Sequence, residues 1–169
     1  MRVLLSAGAG FIGSHMAKAL LGRGHKVTIV DDLSSGKREN IPEGAHLYQM
    51  DIRSGCEEVL EGFEPEALCH QSAQMDVSRS MREPDFDAEV NVLGTVRLLE
   101  NCVEYRVGNV DFASTSGAVY GEQREFPATE DHSQYPLSPT ESPSSLASAT
   151  LVLPRRLTMD SATVPTPSR

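Results

Sequence analysis

The chain has 169 residues, which is enough for one domain with a hydrophobic core and too few for a comfortable pair. Its formal net charge is -9 at pH 7 and its isoelectric point is near 5.0. A role on nucleic acid or on an anionic membrane surface needs a basic face, so the composition argues against both. The sequence therefore predicts a single acidic domain that binds neither nucleic acid nor membrane.

The three cysteines, Cys56, Cys69 and Cys102, have neither paired nor metal-type spacing. Free thiols in a reducing compartment are therefore favoured over a disulfide or a zinc site, and no metal site is predicted. The sequence starts at Met1 almost directly with an apolar run, without a charged leader, a long apolar segment or a cleavage site. We therefore expect a cytoplasmic protein.

A glycine-rich stretch covers residues 6–13, between a short apolar run and a run with helical period. This arrangement predicts a turn from a first strand into a first helix. Gly8 and Gly10 permit a tight turn and a close approach of backbone N–H groups to a pyrophosphate, while Gly13 lets the helix lie close to the strand. An anion would then lie at the helix N-terminus, where unpaired N–H groups favour negative charge.

A second apolar run, residues 26–30, ends in Asp31 and Asp32, about 20 residues after the glycines. An acidic side chain at this place can accept hydrogen bonds from both hydroxyls of a ribose. Glycine turns alone are weak evidence, because they are common between strands and helices. The strand, turn, helix, strand and acidic residue together predict a dinucleotide-binding unit.

Short apolar runs continue to alternate with longer helical runs, which is typical of parallel strands joined by right-handed helical crossovers. We therefore predict an α/β fold with a doubly wound parallel sheet and flanking helices. The polar residues 71–74 lie at the carboxyl end of the fourth strand, where such sheets bind ligands. After the second strand, the predicted elements are a loop at 34–37, strands at 46–50, 67–70 and 107–113, and helices at 57–63 and 87–105.

Six motifs in this order and spacing resemble the extended short-chain dehydrogenases/reductases, and specifically the NAD-dependent epimerase/dehydratase group that includes UDP-glucose 4-epimerase. The resemblance covers residues 1–139. It implies a Rossmann-type sheet, NAD as cofactor, a nucleotide-sugar substrate in full-length relatives, and a homodimer in some of them. A 4-epimerase is the leading activity, with a dehydratase or reductase as the alternative. The motifs are residues 7–13, 31–36, 51–53, 70–74, 91–95 and 114–121.

The site residues that the resemblance assigns mostly concern the cofactor. The glycine turn would hold the pyrophosphate, and Asp31 would take the adenosine ribose, where its charge would repel a 2′-phosphate and favour NAD over NADP. Asp51 and Ile52 would flank the adenine, and Asn91 would support nearby backbone. The complete set is Gly8, Gly10, Phe11, Ile12, Gly13, Asp31, Asp32, Ser35, Gly36, Asp51, Ile52, Ser72, Ala73, Gln74, Asn91 and Ser114.

Simpler interpretations stay open at two of these residues, Asp51 and Asn91, and the neighbouring motif residue His70 has one as well. Asp51 can be a solvated strand-end carboxylate, Asn91 can bond within its own helix, and His70 is better explained as a packed residue than as a catalytic one. The sequence also departs from the family at Ser6, usually threonine, and at Ala7, which replaces a glycine. If the turn needs a positive φ at Ala7, the loop is strained by roughly 1 kcal/mol.

Ser116 is the candidate catalytic residue by resemblance. In the family, a serine or threonine here bonds the sugar hydroxyl that is oxidised, while a Tyr-x-x-x-Lys unit supplies the base. Here Thr140 and Ser144 stand in the places of that tyrosine and lysine. We therefore expect an epimerase by family whose present chain is inactive, or a NAD-binding fragment without turnover. The alternative for Ser116 is a role only in a strand-to-loop turn.

Residues 140–169 contain no glycine, aromatic residue or lysine and are rich in serine, threonine and proline. If one T is restored before the codon of Thr140, degenerate codons permit Tyr-Gly-Val-Ala-Lys, the missing motif. We therefore predict an incomplete NAD-binding domain at 1–139, cut off before the carboxyl-terminal substrate domain of the family. The rest, 140–169, is predicted to be a frame-shifted, disordered tail, with a genuinely divergent tail as the alternative.

Overall fold

A computed structural model describes residues 1–113 and Pro127. It contains a five-stranded parallel sheet with the strand order β3-β2-β1-β4-β5. The strands are β1 (Arg2–Ser6), β2 (Lys26–Asp31), β3 (His46–Gln49), β4 (Ala67–His70) and β5 (Asn109–Phe112). The α-helices are α1 (Phe11–Gly22), α2 (Glu57–Phe63), α3 (Val77–Arg82), α4 (Pro84–Ala88) and α5 (Thr95–Glu104). Short 3₁₀ turns cover Arg38–Asn40 and Ile52–Ser54.

The central strand β1 is buried on both faces, because helices cover the sheet on each side. Leu4 and Leu5 are both fully buried, and as neighbours in a strand they point to opposite faces. Leu4 belongs to a core cluster with residues of α2 and α5, while Leu5 packs in a second cluster with Ala17 of α1. This two-sided burial confirms the predicted doubly wound α/β fold of Rossmann type.

The carboxyl ends of the three central strands are level with one another. Ser6, the last residue of β1, pairs in register with Val30 of β2 and with His70, the last residue of β4. Chain order reverses between β1 and β4, since β2 and β3 lie on one side of β1 and β4 and β5 on the other. The loops that leave β1 and β4 therefore separate at this point and leave a crevice between them.

The helical stretch predicted at 87–105 begins earlier in the structure and is less regular. Helical structure already begins at Pro84, which occupies the first turn of α4, a position where a missing N–H costs nothing. Residues Glu89–Gly94 then form a π-helical segment before α5. A hydrophobic period does not reveal such a segment, because it changes the backbone hydrogen bonds while the chain stays helical.

Two further differences concern short elements. Helix α3, with Asp76 as its N-cap, was not predicted, because its six residues show no helical period long enough to recognise. Strand β5 is shorter than the predicted 107–113. The N–H of Val107 bonds the carbonyl of Cys102 at the end of α5, and the N–H of Gly108 bonds the carbonyl of Glu66, so pairing with β4 runs only from Asn109 to Phe112.

The three cysteines are free thiols, and burial raises the pKa of Cys56 to about 11 and that of Cys102 to about 12.

Over the part of the chain that the structure describes, none of the helices has the length and apolar character needed to cross a membrane.

Candidate functional site

A cleft of about 390 Å³ opens at the carboxyl ends of the strands, at the crevice between β1 and β4. The loops after β1, β2, β3 and β4 all contribute to its lining. The predicted positions that line it are Gly10, Asp31, Asp32, Ser35, Asp51, Ile52, Ser72, Ala73 and Gln74. Gly8, Phe11, Ile12, Gly13, Gly36 and Asn91 lie outside the lining. The predictions for Ser114, Ser116, Thr140 and Ser144, and the segment 140–169, lie outside the described residues.

The glycine turn, residues 7–13, joins β1 to α1 beside the cleft. Helix α1 begins at Phe11, and its N-cap Gly10 offers no side-chain hydrogen bond. The first turn contains no acidic residue of its own, and its N–H groups have no intrahelical acceptor. An uncapped N-terminus of a 12-residue helix at the mouth of a cleft can bind an anion.

Close packing within this turn depends on two glycines. A Cβ added to Gly13 would collide with the backbone carbonyl of Ala7, and one added to Gly8 would lie 2.6 Å from Cγ1 of the buried Ile29. Ala7 itself has a φ of 53°, in the left-handed region, so the condition for strain at this residue is met. The side chains of Phe11 and Ile12 point to solvent, since 80% of Phe11 and 60% of Ile12 is exposed.

Asp31 connects the end of β2 to the glycine turn. Its side chain is buried, and Oδ2 accepts a hydrogen bond from the N–H of Ala9 at 2.9 Å while Oδ1 accepts one from the N–H of Leu33 at 2.8 Å. A carboxylate offers about four acceptor positions, so roughly two remain for a ligand. Gly36 packs against the same carboxylate, because an added Cβ there would lie 2.9 Å from Oδ1. Asp32 is exposed, and its Oδ1 accepts from the N–H and hydroxyl of Ser34.

Asp51 pairs with Arg53, a residue of the motif 51–53 to which the sequence analysis assigned no role. Its Oδ2 accepts from Nη2 of Arg53 at 2.7 Å, and its Oδ1 accepts from the N–H of the same residue at 2.8 Å. These hydrogen bonds lower the pKa of Asp51 below its usual value. Arg53 also pairs with Glu89 at 3.0 Å. Asp51 is therefore a paired carboxylate and the cap of a 3₁₀ turn rather than a freely solvated one.

The cleft segment, residues 71–76, is held by Asn91 from the π-helical segment. Oδ1 of Asn91 accepts from the N–H of Gln74 at 2.7 Å, and its Nδ2 donates to the carbonyl of Gln74 at 3.0 Å. Asn91 thus bonds backbone 17 residues earlier in the chain rather than its own helix. The Gln74 side chain in turn accepts from the N–H of Asp76 and donates to Asp87.

His70, the last residue of β4 and directly before the cleft segment, is buried and packed, as in the simpler interpretation. Its Nδ1 lies 2.7 Å from the Ser6 hydroxyl and its Nε2 lies 3.0 Å from the Thr95 hydroxyl. The ring contacts Phe112, with centroids 5.4 Å apart. Burial lowers the pKa of His70 to about 4, so the ring is neutral at pH 7. The Ser6 hydroxyl also accepts from the N–H groups of Gln71 and Ser72.

Arg79 and Phe86 line the cleft and were missed from the sequence. The guanidinium carbon of Arg79 lies 3.8 Å from the centroid of the Phe86 ring, and its Nε pairs with Glu83 at 3.1 Å. Among the described lining residues, Arg79 is the one with a lysine or arginine side chain. The signal that could have found it is Asp76 three residues earlier, a helix N-cap whose Oδ1 accepts from the N–H of Arg79.

The same residues can be compared with known proteins. A family model described as the NAD dependent epimerase/dehydratase family matches residues 3–149, so the match ends inside the segment that the sequence separated at 140. The chain is 40% identical over 145 residues to the UDP-glucose 4-epimerase of Mycolicibacterium smegmatis, a match that covers 82% of this chain and 46% of that protein.

Solved structures give the same result. The UDP-glucose 4-epimerase of Thermus thermophilus, in complex with NAD, is 44% identical with a TM-score of 0.85, covering 89% of this chain and 50% of that one. The UDP-glucose 4-epimerase of Thermotoga maritima, with UDP-glucose, is 38% identical with a TM-score of 0.86 and the same coverage. The chain therefore spans about half the length of the relatives that it matches.

Proposed function

The chain belongs to the NAD dependent epimerase/dehydratase family, and from this membership we propose that its cleft binds NAD as the cofactor-binding part of a UDP-glucose 4-epimerase-like protein. The relatives described above are UDP-glucose 4-epimerases, and one of them is a complex with NAD. In this proposal the bound nicotinamide supplies the hydride acceptor and donor, and the protein supplies binding and orientation.

The observation that carries the proposal is the position of Asp31 between the cleft and the glycine turn. Two backbone N–H groups hold its carboxylate in place, and its remaining acceptor positions suit the two neighbouring hydroxyls of a ribose. A 2′-phosphate would lie against this negative charge, which favours NAD over NADP. The nearby cations Lys37 and Arg38 are outside the cleft lining and interact with Glu39 and Gln49.

The other parts of the cleft fit the rest of a dinucleotide. The uncapped N-terminus of α1 would receive the diphosphate, since Gly8 and Gly13 allow the turn to lie close beneath it. The backbone at Asp51 and Ile52 would flank the adenine, with Ser35 at the ribose. The residues Ser72, Ala73 and Gln74 would form the wall that leads from the diphosphate toward the reacting centre.

For this chain we propose binding without turnover. Lys37 is the last lysine of the sequence, so no Tyr-x-x-x-Lys unit follows Ser116. A hydroxyl at Thr140 is no phenolate base, and Ser144 has no ammonium group to lower the pKa of one. Loss of a general base costs about 10²- to 10⁴-fold in rate. Ser116 alone would hold a sugar hydroxyl without removing its proton.

Calorimetric titration with NAD and NADP tests the binding. The unmodified chain should bind NAD more tightly than NADP. Asp31→Ala should weaken NAD binding by about tenfold or more, and Asp31→Asn, which keeps the shape of the side chain, should bring the two affinities closer together. Glu61→Gln, at an exposed residue of α2 away from the cleft lining, is the control and should change neither. Equal affinities in the unmodified chain would contradict the assignment of Asp31.

An activity assay tests the absence of turnover. With UDP-galactose and NAD the chain should show no formation of UDP-glucose. Sequencing the coding DNA around Pro139 then separates a shifted reading frame from a divergent segment 140–169. Interconversion at the rate of an intact enzyme would refute the proposal that this chain only binds.

A further inference from the structure

We propose that His70 is a positioning residue of the cofactor cleft, because as a neutral ring protonated on Nε2 it orients the Ser6 hydroxyl that holds the backbone of Gln71 and Ser72. The inference rests on the proposed NAD binding for its functional consequence. The hydrogen-bond arrangement itself follows from the structure alone.

The hydrogen bonds of Ser6 determine where its proton points. Its Oγ lies 3.0 Å from the N–H of Gln71, 3.1 Å from that of Ser72 and 2.7 Å from Nδ1 of His70. The two backbone groups can only donate, and a hydroxyl has two lone pairs and one proton. Both lone pairs are therefore occupied, and the hydroxyl must donate its proton to Nδ1.

This result determines the form of the His70 ring. Because Nδ1 accepts a proton from Ser6, it carries none itself, and a neutral imidazole must then be protonated on Nε2. Nε2 donates to the Thr95 hydroxyl, 3.0 Å away. An imidazolium would place two donors against each other at Ser6. The low pKa that burial gives His70 agrees with the neutral form.

The chain of hydrogen bonds connects the glycine turn and the cleft segment with helix α5. Ser6 directly precedes the glycine turn, Gln71 and Ser72 begin the cleft segment, and Thr95 begins α5 just after the π-helical segment. Ser6 and His70 are register partners on adjacent parallel strands, so their side chains lie on the same face of the sheet. The buried hydroxyl of Ser6 therefore fixes the cleft segment relative to the glycine turn. By accepting its proton, His70 keeps the lone pairs of that hydroxyl directed at the N–H groups of Gln71 and Ser72.

The ring form can be measured directly by ¹⁵N NMR of the histidine side chains in the full chain. We expect a non-protonated Nδ1 and a protonated Nε2 at His70, without change from pH 7 to pH 5.5. A proton on Nδ1 at pH 7 would overturn the inference, whether or not the protein binds NAD.

The positioning role can be tested with Thr95→Val, which removes the acceptor for Nε2. We expect faster amide hydrogen exchange at Gln71 and Ser72 and about threefold to tenfold weaker NAD binding. Thr95→Ser keeps a hydroxyl and should restore both. Thr28→Val, at a buried threonine of β2 outside this network, is the matched control and should leave both unchanged.

The outcomes separate the two proposals. If the unmodified chain binds no NAD, the proposed function fails, and amide exchange at Gln71 and Ser72 still decides the inference. If exchange at these two amides is the same in Thr95→Val as in the unmodified chain, the positioning role of His70 is refuted. If Thr95→Ser behaves like Thr95→Val, packing rather than the hydrogen bond is responsible, and this also refutes it.

Discussion

The glycine turn, residues 7–13, and the cleft segment, residues 71–76, both shape the same cleft, but different contacts hold them. In the turn, backbone approaches backbone and core so closely that Gly8 and Gly13 have no room for a side chain. In the cleft segment, buried side chains of Ser6 and Asn91 hold the backbone by hydrogen bonds from distant parts of the chain. The glycine turn therefore depends on the absence of side chains at two of its residues, and the cleft segment depends on polar side chains from other parts of the chain.

This difference implies different responses to mutation. A side chain added to the glycine turn meets atoms that cannot move without shifting the sheet, so stability and binding should be lost together. A hydrogen bond removed from the cleft segment leaves partly exposed backbone groups that water can reach, so the fold should survive while the cleft loses its shape.

The largest effect should come from Gly13→Ala. Its Cβ would collide with the backbone carbonyl of Ala7, and this collision should cost about 3 kcal/mol of unfolding free energy. Gly22→Ala, at the other end of the same helix, meets nothing within 4 Å and should be neutral or stabilising by about 0.5–1 kcal/mol. Chemical denaturation of both variants measures the difference. Equal stabilities would mean that the turn has more room than the structure shows.

The same contrast explains how much of the molecule could be predicted from the sequence. Strand β4 and helix α2 have the predicted bounds, and the glycine turn is where it was expected, because apolar period and glycine spacing are local signals. The pairing of His70 with Ser6 and Thr95 could not be predicted, since it joins residues 64 and 25 positions apart. Sequence patterns identified the strand-end segments that form the cleft but not the part of its wall on α3 and α4, and the buried hydrogen bonds that hold the cleft became visible only in the folded structure.

The second prediction concerns pH and the cleft segment. The pKa of folded His70 is about 4, below its usual value of 6.5, so between these values the unfolded chain binds more protons than the folded one. The stability that depends on neutral His70 is therefore present above pH 6.5, and it is lost progressively as the pH decreases toward 4. The loss from this residue at pH 5 should be about 2 kcal/mol. Denaturation at pH 7, 6 and 5 should show this slope, and His70→Phe should flatten it; an equal slope in both would exclude His70 as its source.

The third prediction compares two asparagines of the same helical stretch. Asn91→Ala removes two hydrogen bonds to Gln74 and should weaken NAD binding by about tenfold while costing about 1–2 kcal/mol of stability. Asn101→Ala removes bonds to the N–H of Cys56 and to Glu57, away from the cleft lining. It should cost about the same stability and leave NAD affinity unchanged. Calorimetry measures the NAD affinity of both variants, and denaturation measures their stability. An equal loss of affinity in both would show that NAD binding follows overall stability rather than the shape of the cleft.

The smallest effect should come from Ala7, where the glycine turn carries a side chain in spite of its backbone. At a φ of 53°, a residue with a Cβ is destabilised by about 1–2 kcal/mol of conformational strain, which glycine avoids. Glycine in turn gives the unfolded chain about 0.4–1 kcal/mol more conformational entropy to lose. Ala7→Gly should therefore be stabilising, by about 0.5 kcal/mol, and keep the hydrogen bond from its N–H to Val30.

The same substitution at Ala19, an exposed residue inside α1, should destabilise the protein by about 1 kcal/mol because its backbone is ordinary helix. Opposite signs for one chemical change, measured by thermal denaturation, would identify backbone conformation as the cause. A loss of stability in both variants would mean that the methyl group of Ala7 contributes more through its contacts than the left-handed backbone costs.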